Sequence, residues 1–150
     1  MTQGIRRGET RTVAPLGADA SLVFIGGVRT PWARREDCPK QGDRNGPECR
    51  LILAPPWDGG LDGIEAFATL EVLYWLHESR RDLLVQAPAT GGPRGTFALR
   101  SPVRPNPIGT ALVALVRRQE AELVVRGLDC LDGTPLLDVK PDRCTHGGPR

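Results

Sequence analysis

The residues of this 150-residue chain that could carry acid–base or nucleophilic chemistry are few. There are two histidines, His77 and His146, and four cysteines, Cys38, Cys49, Cys130 and Cys144. No two cysteines stand at C-x-x-C spacing, and two histidines do not complete a ligand set, so no metal site is expected. Walker A, G-x-S-x-G and H-E-x-x-H sequences are all missing. No G-x-G-x-x-G follows a strand and opens a helix, which excludes the usual dinucleotide fingerprint. What remains is a short set of polar residues at the ends of apolar runs. His77 and Glu78 close one such run, and Asp132 stands in the turn Leu131-Asp132-Gly133-Thr134. A neutral imidazole or a carboxylate is the group that takes a proton in general base chemistry, but the residues alone single out no catalytic set.

The cations are unevenly chosen. Of 20 Lys+Arg, all but Lys40 and Lys140 are arginine. An arginine fork binds phosphate or carboxylate through two parallel bonds, which lysine cannot do; a GC-rich coding sequence produces the same bias. Against 18 Asp+Glu the net charge is only +2, so binding to nucleic acid through bulk charge is not indicated and any phosphate contact must be local. Arg94, Arg100 and Arg104 bracket one proline-rich stretch, and Arg29, Arg34 and Arg35 precede another polar loop.

These residues need elements to hold them. With 39% hydrophobic and 25% charged residues the chain has a globular composition, and its length is about that of one domain, able to bury roughly 70% of its unfolded surface. It contains no apolar run of 18 residues, the length a membrane-spanning helix requires. The opening MTQGIRRGETRTVAPL has no apolar stretch behind its arginines and does not read as a secretory signal, so a cytoplasmic location with reduced thiols is expected. The 18 Gly and 14 Pro favour short strands and turns over long helices.

Strands are expected at 21–28, 50–54, 70–77, 95–100, 110–116, 122–126 and 135–139; 70–77 is favoured as a strand over a helix that would put Leu70, Leu73, Tyr74 and His77 on one face. A helical turn is expected after an Asp62 cap, and Asp132-Gly133 reads as a hairpin turn. Residues 33–48 form a long polar loop carrying Pro39, Lys40 and Gln41. Pro102, Pro105 and Pro107 forbid a helix or a central ladder and make 101–107 a stiff extended loop that presents Arg100, Arg104 and Asn106 at little entropic cost. The fold class is therefore all-β: a single small β-barrel with one or two short helical turns. It is expected to span residues 21–141, with a flexible arm at 1–20 and a flexible tail at 142–150.

Three segments extend this reading: IGGVRTPWARREDCPKQ at 25–41, GTFALRSPVRPNPIG at 95–109 and LDGTPLLDVKP at 131–141. Together they resemble the TsaA-like, or TrmO-type, family. The resemblance runs from about Phe24 to Pro141. It implies a β-barrel that binds S-adenosyl-L-methionine without a Rossmann sheet, usually as a homodimer. It also implies methylation of N6-threonylcarbamoyladenosine at position 37 of a tRNA. Carried over by motif, the cofactor contacts fall on Pro39, Lys40 and Gln41, on His77 and Glu78, on Arg100 and Thr110, and on Leu131, Asp132, Gly133, Thr134 and Pro135. The backbone of that last turn is expected to read the adenine edge. Arg104 and Asn106 are the candidates for substrate contact, and His77, Glu78 and Asp132 are the candidates for a general base inside the matched motifs. The family commonly reads P-R-Q where this chain has P-K-Q, and its long members carry a further C-terminal domain. The alternative is an S-adenosylmethionine-binding module, or a small-metabolite methyltransferase, that does not act on tRNA.

Overall fold

The computed structural model describes residues 4–14 and 17–142; His146, Cys144 and the rest of the expected tail beyond Asp142 lie outside them. Among the described residues nine strands form two compact units. Of the described residues, the larger comprises 22–75 and 109–142, and the smaller 4–14, 17–21 and 76–108.

The larger unit is a closed antiparallel barrel of six strands. They are β2 (Gly26–Arg29), β3 (Glu48–Leu53), β4 (Thr69–Trp75), β7 (Ile108–Gln119), β8 (Glu122–Arg126) and β9 (Pro135–Pro141), in the order β2-β3-β8-β7-β4-β9. Alternation drives it. Cys49, Leu51 and Leu53 of β3 and Leu70, Val72 and Tyr74 of β4 are buried, while the residues between them reach toward solvent. With Val28, Val113, Leu123, Val125 and Leu136 these side chains fill the interior, each worth about 1.5–3 kcal/mol in removed apolar surface. The register of β7 against β8 shifts between Leu115 and Arg117, a bulge that bends the long strand as a small barrel requires. The all-β barrel reading therefore holds, and helical geometry among the described residues is confined to short 3-10 turns.

The smaller unit has its own sheet, β1 (Thr10–Arg11), β5 (Leu83–Gln86) and β6 (Arg94–Gly95), in the order β1-β5-β6. Here the structure departs from the expected boundaries. Thr10 and Arg11, placed in a flexible arm, pair with Val85 and Leu83, because the edge of β5 offers ladder partners. Residues 76–108, assigned to the barrel, are not among its strands up to Ile108. Their prolines remove the amide donors that a barrel strand needs.

Three local expectations also change. Within 21–28 only Gly26 onward is strand, and Leu22, Val23 and Phe24 are half exposed. The run 95–100 is not a strand beyond Gly95, since Thr96–Ala98 turns in a 3-10 helix. Its cause is Thr96, whose buried hydroxyl donates to the Leu83 carbonyl at 2.6 Å and pulls the chain inward. The Asp132-Gly133 turn does not close a hairpin, because β8 and β9 are not neighbours in the barrel.

Candidate functional site

In the barrel unit the segments around 30–42 and 127–135 lie together. Gly42 packs so closely on the Gly127 carbonyl that a Cβ at Gly42 would overlap it. The Asp132 amide donates to the Trp32 carbonyl at 2.8 Å, and the Gly133 amide to the Val28 carbonyl at 2.8 Å. The Thr30 hydroxyl donates to the Cys130 carbonyl at 2.8 Å. The loop bearing half-buried Pro39 and exposed Lys40 and Gln41 thus lies against the segment that leads into Leu131.

This stitching uses groups that the motif resemblance assigns to the ligand. The Asp132 and Gly133 amides, expected to face an adenine edge, are committed to Trp32 and Val28. The Leu131 carbonyl accepts from both the amide and the hydroxyl of Thr134. Asp132, a candidate base, has both carboxylate oxygens engaged: Oδ1 accepts from the Thr30 amide at 3.0 Å, and Oδ2 faces Arg29 at 3.4 Å. It holds the turn to β2. Pro135 opens β9, and Thr134 is buried. Thr110, exposed on β7, donates its hydroxyl to Glu71 of β4 at 3.2 Å.

Sequence reasoning missed Asp129 and Tyr74. Tyr74 is 3% exposed and donates its hydroxyl to Oδ1 of Asp129 at 2.6 Å. Its ring lies on Gly109, where a Cβ would overlap it. Burial and then the Asp129 charge push the Cys38 thiol up. Cys130, more deeply buried, is pushed up to about 12, again chiefly by burial. Thiolate chemistry is accordingly suppressed at both.

In the smaller unit, His77 and Glu78 are exposed in a turn closed by the Ser79 amide on the Leu76 carbonyl. Arg100, Arg104 and Asn106 share the proline loop, and side chains clamp that loop from within. Gln86, buried at the end of β5, donates its amide to Thr96 Oγ1 at 3.1 Å and to the Val103 carbonyl at 2.7 Å. Arg81 Nε donates to the Pro105 carbonyl. Arg104, expected to meet substrate, donates Nη1 to the Leu99 and Ser101 carbonyls at 3.0 and 2.8 Å; a short loop of fixed φ brings its own carbonyls within reach of the fork. Asn106 is exposed and its carbonyl accepts from Ile108. Arg100 is exposed, and among the described residues neither it nor Lys40 makes an ion pair. The one sequence signal for the clamp was a glutamine in an otherwise apolar Leu-Leu-Val-Gln strand. No group of His, Cys, Asp or Glu suited to a metal exists among the described residues. None of their helices is long and apolar enough to cross a membrane.

Residues 27–143 match the model of the tRNA-methyltransferase O N-terminal domain family. A probable S-adenosyl-L-methionine-binding protein VirR of Rhizobium radiobacter is 54% identical over 140 residues, covering 93% of this chain and 80% of that protein. A probable S-adenosyl-L-methionine-binding protein of Methanothermobacter thermautotrophicus is 43% identical, covering 78% of this chain and 85% of its own length. Among solved structures, a crystal structure of TrmO superposes with a TM-score of 0.72 at 30% identity over 87% of this chain. This chain spans 63% of that structure's length.

Proposed function

Since the chain belongs to the tRNA-methyltransferase O N-terminal domain family, we propose that it binds S-adenosyl-L-methionine and transfers the methyl group to N6 of threonylcarbamoyladenosine at position 37 of a tRNA. One observation carries the reading. The Arg100–Pro107 loop is clamped by Gln86, Arg81 and Arg104, and Arg100 stays exposed without an ion-pair partner among the described residues. Preorganised cations of this kind suit an anionic ligand group at low entropic cost.

The donor set fits the cofactor. Its carboxylate calls for a cation, which Arg100 or Lys40 supplies, and its adenine and ribose call for neutral donors and acceptors such as Gln41. S-adenosylmethionine would supply a methyl group on a positively charged sulfur, an excellent leaving group. The protein's share is alignment of donor and acceptor, worth up to about 7–11 kcal/mol. The acceptor nitrogen is amide-like and sheds a proton, which a base accelerates by roughly 10²–10⁴. His77, Glu78 and Asp132 are the candidates for that base, and Asp132 is the one already tied to β2. Phosphate contact falls to arginines whose exposed pairings are weak: Arg29 with Asp132 and Arg34 with Asp37. Each such pair is worth about 0–1 kcal/mol and yields to a phosphate. A homodimer belongs to this reading, because Leu112 and Val116 stand exposed on β7. A cytoplasmic location follows from the tRNA substrate.

A second reading, a binding module or small-metabolite methyltransferase, draws on the names of the VirR and Methanothermobacter relatives, which mention S-adenosylmethionine and no tRNA. Incubation with methyl-labelled cofactor and two tRNA pools, one carrying threonylcarbamoyladenosine and one lacking it, separates the two. Label in the first pool alone supports the enzyme. Cofactor binding with label in neither overturns it in favour of the second reading.

A further inference from the structure

We propose that Asp129 is the counter-charge for the positively charged sulfur of the methyl donor. This rests on the reading that the chain binds S-adenosylmethionine, and adds a residue that the motif resemblance did not supply.

Three observations converge on Asp129. The first is place. Asp129 lies two residues beyond Gly127, the glycine against which Gly42 packs, and just ahead of the turn stitched to Thr30 and Trp32. It therefore stands where the 38–42 loop and the 131–135 turn come together.

The second is orientation. Oδ1 accepts from the hydroxyl of buried Tyr74 at 2.6 Å, and the Tyr74 ring is fixed in turn against Gly109. One oxygen is anchored, so the direction of the carboxylate is set before any ligand arrives, which is the condition for strong electrostatic recognition.

The third is charge. Asp132, three residues on, has Arg29 as its cation. Asp129 is half-buried and, among the described residues, has no ion pair. Its uncompensated charge helps to raise the thiols of Cys38 and Cys130 on either side, after burial.

A half-buried carboxylate without a cation is open to a cationic ligand, and the attraction is stronger there than in bulk water. A sulfonium has no N–H to donate, and a fixed opposite charge is one group that recognises it. When the methyl carbon bonds to the acceptor nitrogen, the carbon–sulfur bond breaks and its electron pair stays on sulfur. The acceptor nitrogen loses its proton to base or water. The sulfur is then neutral, and its attraction to Asp129 is gone, which favours release of the demethylated product.

Calorimetric titration of the full chain with S-adenosylmethionine and with S-adenosylhomocysteine tests this, because the two ligands differ in the sulfur charge and share the amino group. The wild type is expected to prefer the methylated ligand. Asp129→Asn is expected to lose about tenfold in affinity for it, as for one charge interaction of intermediate dielectric, with S-adenosylhomocysteine binding unchanged. Tyr74→Phe, which keeps the carboxylate and frees it to rotate, is expected to narrow the preference by a smaller factor, and provides the test should Asp129→Asn not fold. Equal loss for both ligands in the variants, or no loss for either, overturns the assignment while leaving the cofactor reading intact. A wild type that binds neither ligand overturns both.

Discussion

The Tyr74 ring lies directly on the backbone of Gly109, with no room between them for a Cβ. That contact gives a physical reason for the last residue of the R-P-N-P-I-G motif. Any larger residue at 109 displaces Tyr74, and with it the hydroxyl that holds Asp129.

Gly109→Ala is therefore expected to destabilise the barrel by about 1–3 kcal/mol, the usual cost of overpacking a filled site. Urea denaturation measures this. Tyr74→Leu in the same chain removes the ring and is expected to relieve part of the penalty, so the two substitutions should be non-additive. Strict additivity would mean that the Tyr74 contact is not the cause.

The proline loop separates scaffold from ligand contact. Gln86→Leu strips the donor from Thr96 Oγ1 and the Val103 carbonyl and is expected to cost about 1–3 kcal/mol, the cost of buried acceptors left unpaired. Arg104→Ala acts in the same direction by freeing two carbonyls. Arg100→Ala is expected to leave the melting temperature unchanged and to weaken S-adenosylmethionine binding by about tenfold, as for one charge-assisted hydrogen bond. Thermal melts and calorimetry on the three variants check this; a melt lowered by Arg100→Ala to the same extent would move Arg100 to the scaffold.

Acid should act on the smaller unit through Asp82. Arg80 forks onto its carboxylate, Nε to Oδ1 at 2.8 Å and Nη2 to Oδ2 at 3.0 Å, and this holds the Asp82 carboxyl below its ordinary value. The unfolded value is about 3.9. The pair's contribution is thus complete above that value and lost as pH falls from there through the lower folded value. Asp82→Asn is expected to cost up to about 1 kcal/mol at pH 7, with the gap to wild type closing below about pH 4. Urea midpoints at several pH values read this directly, and a gap that stays constant or widens on acidification would refute it.

Periodicity and motif were local information, and they determined much of the molecule. The period-two runs around Leu51, Val72 and Leu123 need an interior, and a barrel is what six such strands build. The prolines at 102, 105 and 107 forbid ladder pairing wherever they occur, so the loop was legible from spacing alone. The tertiary structure decided what each polar group on those elements is used for. Arg104 and Arg100 stand four residues apart in one motif, yet Arg104 turns onto the Leu99 and Ser101 carbonyls and Arg100 is exposed, with no ion pair among the described residues. Asp132 had the most visible turn signal, and its carboxylate went to Thr30, 102 residues away in sequence. Asp129 carried no signal, because its significance comes from Tyr74 and from the absence of a cation among its described neighbours. A hydrogen bond between residues far apart in sequence depends on which strands the closed barrel makes neighbours, and no local pattern encodes that.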